Sequence, residues 1–148
     1  MTAGYSESPR DILSKVFDIE YDEVVMLRDI SFTSMCEHHM LPFIGTATVG
    51  YLPGVKVVGL SKLARLVHAH AKRLQVQERL TRDIANDIMR YLEPKGAAVV
   101  IKAKHMCMSC RGVKENCSEM VTSAMLGEFR TSHPLRSEFL SYATNSHT

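Results

Sequence analysis

The segment SKLARLVHAHAKRLQVQERLTRDIANDIMRYL, residues 61–92, decides the fold, because its apolar residues repeat with the period of an α-helix. Small and large aliphatic residues recur at steps of three and four. They are Leu60, Leu63, Ala64, Val67, Ala71 and Leu74, followed by Val76, Leu80, Ile84 and Ile88. This spacing predicts two amphipathic helices, or one long bent helix. Pro94 and Gly96 end the second helix, since proline breaks helices and glycine caps them.

The sequence before this helical segment has the features of strands. DEVVMLRDISFTSM, residues 22–35, alternates its side chains and is rich in β-branched residues, which is typical of a strand. FIGTATVGYLPG, residues 43–54, is predicted as a second strand that ends at a Pro-Gly turn. Further upstream, SESPRDILSKVFD, residues 6–18, predicts a short helix capped by Ser8, with proline at its first position.

Strands also follow the helical segment. GAAVVIKAKHMCM, residues 96–108, and EMVTSAMLGEFR, residues 119–130, are predicted as two further strands. SHPLRSEFLSYA, residues 132–143, predicts a closing helix with Ser132 as its cap. The resulting order is ββααββα. Strand pairs on both sides of a helical pair predict an α+β domain with an antiparallel sheet.

Length and composition indicate a soluble globular protein with a single core. The chain has 148 residues, of which 45% are hydrophobic and 23% are charged. No membrane partner is expected, because no apolar run approaches the ~20 residues that cross a bilayer. The net charge of +2 predicts no nucleic-acid partner. The N-terminus lacks a signal-peptide pattern, so we expect a cytoplasmic protein. The expected organisation is an N-terminal segment, 1–22, one domain, 23–143, and a tail, 144–148.

A cluster of cysteine and histidine in SMCEHHMLPF, residues 34–43, is a candidate metal half-site. Cys36 and His39 are three residues apart, so on one helical turn their side chains face the same way. Zinc binds thiolate sulfur and imidazole nitrogen, which are the donors present here. The pair by itself provides only half of a zinc site, so further ligands are required elsewhere in the chain.

The second half is predicted in KHMCMSCRG, residues 104–112, interpreted as the continuation of a strand. The alternation of side chains then puts one set on the face of the site: His105, Cys107, Ser109 and Arg111. The other set lies on the face of the core: Met106, Met108 and Cys110. Cys107 would therefore join Cys36 and His39 and leave a fourth position open, as in catalytic zinc sites.

Two other interpretations of these cysteines remain. If a turn replaces the strand, Cys107 and Cys110 can both bind, and with Cys36 and His39 they form a closed Cys3His structural site. Gly112 is close enough to make such a turn possible. The other interpretation is that the cysteines are simply buried and the histidines hydrogen-bonded, with no metal at all.

Polar residues near the two predicted helix starts suggest a phosphate site and a purine site. Ser61, Lys62 and Arg65 lie near the first helix start, where backbone N–H groups attract anions. Gln77 and Glu78 begin the second helix, and a carboxylate beside an amide can bind the donor edge of a purine. Both sets of residues are also common on a solvent-exposed helix face that binds no ligand.

Four motifs in register give the chain its resemblance to a known family. CEHHMLPFIG, GLSKLARLV, QVQERLT and HMCMSCRGV stand in the order, and close to the spacing, of the GTP cyclohydrolase I family. VTSAMLGEFR followed by RSEFL resembles the family's C-terminal end. The resemblance runs from about Asp22 to Leu140. Many members carry a longer helical segment before the sheet, so this chain resembles an N-terminally short member.

The resemblance implies the tunnelling fold, an antiparallel sheet with two helices on one face. Subunits of that fold join their sheets into a barrel, typically as a decamer of two facing pentamers with active sites between subunits. The implied reaction converts GTP and water to 7,8-dihydroneopterin triphosphate and formate. This is the first step towards pterins and folate, or towards deazaguanines, and it implies Zn²⁺ as cofactor.

The resemblance also implies a role for each matching residue. The zinc ligands fall on Cys36, His39 and Cys107. The catalytic histidines fall on His38 and His105. The guanine-binding carboxylate falls on Glu78, with Gln77 beside it. The phosphate and ribose contacts fall on Ser61, Lys62, Arg65 and Arg111. Strand alternation and the resemblance therefore agree on His105, Cys107 and Arg111.

Two alternative functions stay open at this point. One is a relative of the same fold with different pterin or deazaguanine chemistry. A reductase of that kind would use a cysteine nucleophile without zinc, which the pairing of CEHH with HMC argues against. The other is a non-catalytic oligomeric module with a structural zinc.

Overall fold

A computed structural model of the protein describes residues 2–110 and 114–145. It contains a 3-10 turn at Ala3–Ser6 and six α-helices in these residues. The helices are α1 (Pro9–Ile12), α2 (Leu60–Ala71), α3 (Gln77–Leu92), α4 (Met106–Ser109), α5 (Glu128–Thr131) and α6 (His133–Thr144). The strands are β1 (Val16–Asp18), β2 (Val25–Cys36), β3 (Pro42–Leu52), β4 (Lys56–Val58), β5 (Leu74–Gln75), β6 (Gly96–His105) and β7 (Met120–Gly127). No helix in the described ranges is long and apolar enough to cross a membrane.

A five-stranded sheet forms the centre of the molecule, in the order β5-β2-β3-β6-β7. The pairs β2–β3, β3–β6 and β6–β7 are antiparallel, whereas the short β5 runs parallel to β2. Strands β1 and β4 form a separate antiparallel pair. The α+β prediction with an antiparallel sheet is confirmed, and the short β1, β4 and β5 are additions to it.

The two long helices cover one face of the sheet, as predicted. Most residues of their apolar stripes are fully buried, with Leu63, Leu66 and Val67 on α2 and Leu80 and Ile84 on α3. Leu60, at the start of the predicted stripe, is instead 61% exposed. They are two helices rather than one bent helix, because the segment between them pairs with the sheet edge as β5. Burial of each such aliphatic side chain contributes about 1.5–3 kcal/mol, which makes this packing the main source of stability.

The opposite face of the sheet is partly covered by the C-terminal helix. Phe139 of α6 packs edge-to-face on Phe129 of α5, with ring centroids 5.6 Å apart, in a second apolar cluster with Ala98 and Val100 of β6. The cap prediction for α6 is confirmed, since the Ser132 hydroxyl accepts from the Leu135 N–H. The Ser8 cap of α1 is confirmed in the same way, with Asp11 as donor.

Three segments that carry predicted site residues meet at one end of the sheet. Phe43, at the start of β3, is paired with Ser34 of β2 on one side and with His105 of β6 on the other. Cys36, the last residue of β2, is paired with Gln75 of β5, immediately before α3. Side chains two residues apart share a face of a strand, so Ser34 and Cys36 point the same way. Cys36, Phe43 and Gln75 are all buried under the helices.

Candidate functional site

The turn after β2 brings together the first two predicted metal ligands. The Met40 N–H donates to the Cys36 carbonyl at 2.9 Å, which closes one helix-like turn over residues 36–40. The Cys36 sulfur lies 3.9 Å from Nδ1 of His39. Two donors on one tetrahedral zinc, at about 2.3 and 2.1 Å, stand about 3.6 Å apart. This pair therefore fits a shared zinc ion, as the three-residue spacing predicted.

The strand prediction for residues 106–108 is wrong, because β6 ends at His105 and a helical turn follows. The Cys110 N–H donates to the Met106 carbonyl at 2.8 Å, which closes α4. Met108 is 41% exposed and Cys110 is exposed, so neither faces the core. Residues three apart share a face of a helical turn, so the alternation argument against Cys110 as a partner of Cys107 does not hold. Arg111 and Gly112, which that argument also used, lie outside the described residues.

Cys107 is half-buried beside a cavity of about 390 Å³. The cavity lining includes His105, Met108, Glu119 and Met120. Within residues 2–110 and 114–145, no three His, Cys, Asp or Glu side chains lie close enough together to hold a metal ion. The Cys36–His39 pair thus fits zinc as a half-site, and Cys107 lies at the same end of the sheet, two residues beyond the end of β6's pairing with β3.

His105 is held by two contacts that originate on different elements. Its ring stacks on Phe43 with centroids 4.6 Å apart and planes within 4°. Its Nε2 lies 2.7 Å from Oε1 of Gln77, the first residue of α3. Burial lowers the pKa of His105 below its usual value, and the nearby Glu78 carboxylate partly opposes that effect. The imidazole is therefore biased towards its neutral form in a fixed orientation.

The structure separates the two residues predicted to bind the purine. Glu78 is exposed, with its charge close enough to influence His105. Gln77 is only 1% exposed, and its side-chain amide is engaged with His105 and with β6 and β7. Glu78 is thus available to a ligand, whereas Gln77 faces the interior.

An ion pair that was not predicted from the sequence connects the turn after β2, residues 36–40, to α3. Arg79 Nη2 donates to Glu37 Oε1 at 2.6 Å, and this hydrogen bond lowers the pKa of Glu37. The same carboxylate oxygen is 3.8 Å from Nε2 of His38, whose side chain is 67% exposed. Glu37 therefore connects the turn carrying Cys36 to the helix carrying Glu78. The opposite charges of Glu37 and Arg79 are visible in the sequence, but 42 residues separate them, so their pairing could not be predicted.

Three of the four predicted phosphate and ribose contacts lie together at the start of α2, with one additional cation; the fourth, Arg111, lies outside the described residues. Ser61 and Arg65 are exposed and Lys62 is half-buried. Partial desolvation, followed by the positive charges of Arg65 and Lys15, lowers the pKa of Lys62. Lys15 comes close because the next residue, Val16, pairs with Val58 just before α2. Lys15 was missed because its approach depends on this short strand pair.

Two histidines on α2 contact neighbouring elements. His70 is 4% exposed, and its Nε2 is 2.6 Å from Oδ2 of Asp87 on α3. His68 Nε2 is 3.0 Å from the Ser31 carbonyl oxygen. Both connect α2 to neighbouring elements, and neither belongs to the cluster around His105.

Comparisons with known proteins agree on one family. The model of the GTP cyclohydrolase I family matches residues 1–144. GTP cyclohydrolase 1 of Gloeobacter violaceus is 57% identical over 141 residues, covering 95% of this chain and 66% of the relative. Its namesakes from Chlorobium chlorochromatii and Wolinella succinogenes are 57% and 54% identical, with 63% and 75% of their lengths covered. The chain thus spans about two thirds of the length of these relatives.

A solved structure supports the fold independently. The archaeosine synthase QueF-Like, in its apo form, aligns with a TM-score of 0.57 over 73% of this chain and 97% of its own, at 18% identity. At that identity the likeness concerns the fold alone, which is the tunnelling fold. Together with the family match over nearly the whole chain, these observations show that the chain belongs to the GTP cyclohydrolase I family.

Proposed function

We propose that the protein hydrolyses and rearranges GTP to 7,8-dihydroneopterin triphosphate and formate, in the cytoplasm and with zinc as cofactor. The observation that carries the proposal is the oriented imidazole of His105, at the same end of the sheet as the Cys36–His39 pair. The names of the relatives supply the reaction class, since each is a GTP cyclohydrolase 1.

Cys36, His39 and Cys107 would hold the zinc ion, with one position left for water. A zinc ion in such a set acts as a Lewis acid that activates water near neutral pH. The Cys36–His39 separation of 3.9 Å supports two of these three assignments. Glu37, paired with Arg79, would keep the turn that carries both ligands against α3.

The histidines would move the protons of the reaction. Opening the guanine five-membered ring requires water to attack C8 while N7 gains a proton, which makes C8 more electrophilic. His105 is assigned as the donor to N7, because its ring is fixed on both sides. Its lowered pKa makes it ready to release a proton once it has been charged. His38, exposed beside Glu37, is assigned to a second proton transfer or to a substrate contact.

Charged residues on the two long helices would bind the ends of the substrate. The exposed carboxylate of Glu78 would accept from the guanine N1–H and 2-amino group. Ser61, Lys62 and Arg65 would contact the triphosphate and ribose, together with Arg111. Lys15 would add a further positive charge beside Lys62.

The test is turnover of GTP by the purified protein with zinc. Formate is measured directly, and the pterin by fluorescence after oxidation. We expect His105→Ala to lower formate release by about 100-fold or more, in the range of a lost general acid. His133→Ala is the matched control, because His133 is an exposed histidine on α6 and should leave the rate unchanged. Full formate release by His105→Ala would refute the assignment.

We also propose a homo-oligomer, a decamer of two pentamers with active sites between subunits, and no nucleic-acid or membrane partner. Strand β7 lies at the edge of the sheet, and among residues 2–110 and 114–145 its outer side has no strand partner, which is consistent with sheets that join between subunits. Light scattering should give about ten times the chain mass of 16.6 kDa. A monomer with full activity would contradict the proposal.

One observation favours a second candidate, a non-catalytic module with a structural zinc. The helical turn α4 places Cys107 and Cys110 on the same side, where both could bind one ion. Metal analysis distinguishes the two candidates. A protein with one zinc per chain and no GTP turnover, in which Cys110→Ser loses the metal, would support the structural site.

A further inference from the structure

We propose that Gln77 is a positioning residue that holds His105 as the Nε2–H tautomer, which leaves Nδ1 as the nitrogen that exchanges a proton with the substrate. The assignment of Nδ1 to proton exchange with the substrate rests on the proposed function, whereas the assignment of the tautomer does not. The family resemblance implies that Gln77 lies beside Glu78 at the purine. In this proposal it acts on the substrate only through His105.

The orientation of the Gln77 amide follows from its surroundings. Its Nε2 lies 3.2 Å from the Ile101 carbonyl oxygen, 3.0 Å from the Met120 carbonyl oxygen and 3.1 Å from Oγ1 of Thr122. The two carbonyls can only accept, so the NH2 group must face them. An amide turned by 180° would direct its oxygen at two carbonyl oxygens, and only the Thr122 hydroxyl could donate to it. Oε1 therefore faces His105.

The tautomer of His105 follows from that orientation. An amide oxygen only accepts hydrogen bonds, so at 2.7 Å from Oε1 the His105 Nε2 must carry the proton. In a neutral imidazole the other nitrogen is then an unprotonated acceptor. Nδ1 of His105 has no hydrogen-bond partner among residues 2–110 and 114–145. It is thus the ring nitrogen available for proton exchange.

The amide is fixed firmly enough to impose this choice. Gln77 is 1% exposed, and its main-chain carbonyl accepts from the Thr81 hydroxyl at 2.8 Å, which places Thr81 beside the side-chain amide. Thr81 Oγ1 is also 2.7 Å from Thr122 Oγ1, so α3 and β7 are joined beside the amide. Phe43 sets the plane of the His105 ring from its other side. Rotation of the Gln77 amide would break several hydrogen bonds at once, and rotation of the His105 ring would break its hydrogen bond to Gln77 and its stacking on Phe43.

The first test detects the tautomer directly and is independent of the reaction. Solid-state NMR of the full protein labelled with ¹⁵N-histidine distinguishes protonated from unprotonated ring nitrogens, and comparison with His105→Ala assigns the signal. We expect protonated Nε2 and unprotonated Nδ1 in the natural protein and in the control Gln75→Met, because the buried amide of Gln75 donates to the His70 carbonyl and not to His105. Gln77→Met should give a mixture of tautomers. An Nδ1–H form in the natural protein, or no change in Gln77→Met, would overturn the proposal.

The second test separates positioning from substrate contact. Gln77→Met should lower kcat about 10- to 100-fold, the range for losing a partner that orients a functional histidine, with KM for GTP changed less than twofold. A raised KM with unchanged kcat would instead show a purine contact. The tautomer measured in the natural protein needs no Gln77 variant, so the proposal remains testable if Gln77→Met folds poorly. Absence of GTP turnover in the natural protein would refute the proposed function and leave the NMR result valid.

Discussion

Replacement of Tyr51 by phenylalanine should destabilise the protein by removing one buried hydrogen bond. Tyr51 lies on β3 with 0% exposure, and its hydroxyl accepts from the Val58 N–H at 3.0 Å. Val58 is 4% exposed and is followed by Gly59, the N-cap of α2. The hydroxyl therefore connects the central sheet to the chain entering the helix with the predicted phosphate contacts. Burial raises the pKa of Tyr51, so the group remains protonated around neutral pH.

The magnitude follows from what the substitution leaves behind. The phenylalanine ring fills the same space, so no cavity cost arises beyond the missing oxygen. The Val58 N–H loses its acceptor in a buried position, which costs about 1–3 kcal/mol. For a chain of this size, each kcal/mol lowers Tm by about 2–4 °C. A central estimate of about 2 kcal/mol therefore corresponds to a decrease in Tm of about 4–8 °C.

Urea denaturation at one fixed protein concentration measures the change, since an oligomer's stability depends on concentration. Tyr91→Phe is the matched control. Tyr91 is half-buried, and among the residues described by the structure its hydroxyl has no hydrogen bond. The control should change the free energy of unfolding by less than about 0.5 kcal/mol. Equal effects of the two substitutions would refute the reasoning, because the Val58 hydrogen bond would then contribute nothing specific.

Three further predictions concern the strand pairing, the histidine and the phosphate site. Gly45→Ala should lower the free energy of unfolding by about 3 kcal/mol in urea, because its Cβ would clash with the Lys102 carbonyl oxygen. Gly59→Ala should cost far less, because its Cβ would meet only Cγ of Lys62, at 3.8 Å, which is an ordinary van der Waals contact. Because the pKa of His105 is lowered in the folded protein, the unfolded chain binds more protons, and the metal-free protein should lose stability as pH falls through 6.5 towards the folded pKa. His105→Gln should remove the contribution of this histidine to the pH dependence of the free energy of unfolding. An unchanged pH profile in that variant would contradict the prediction. Lys15→Gln should raise KM for GTP about two- to fivefold at unchanged kcat, and the effect should vanish in high salt; an unaltered KM would exclude a phosphate role.

Local patterns predicted most of the elements correctly. The helical period of residues 61–92 and the capping residues Ser8 and Ser132 were sufficient to predict the corresponding helices. Caps and amphipathic stripes depend only on residues that are close together in the sequence. The Cys36–His39 pair was predicted for the same reason, since one turn of chain contains both. Alternation failed after His105, where nothing in the local sequence distinguishes a further strand residue from the first residue of a helical turn.

The amino-acid sequence alone was enough for the fold class, the two helices and the proximity of Cys36 to His39, all of which depend on spacings of two to four residues. Tertiary structure decided which distant groups meet. It placed the side-chain amide of Gln77 against His105, which is 28 residues away in the sequence. It also paired Glu37 with Arg79 across 42 residues. Such contacts depend on strand register and helix placement, which are set by the packing of the whole core and leave no periodic pattern in the chain.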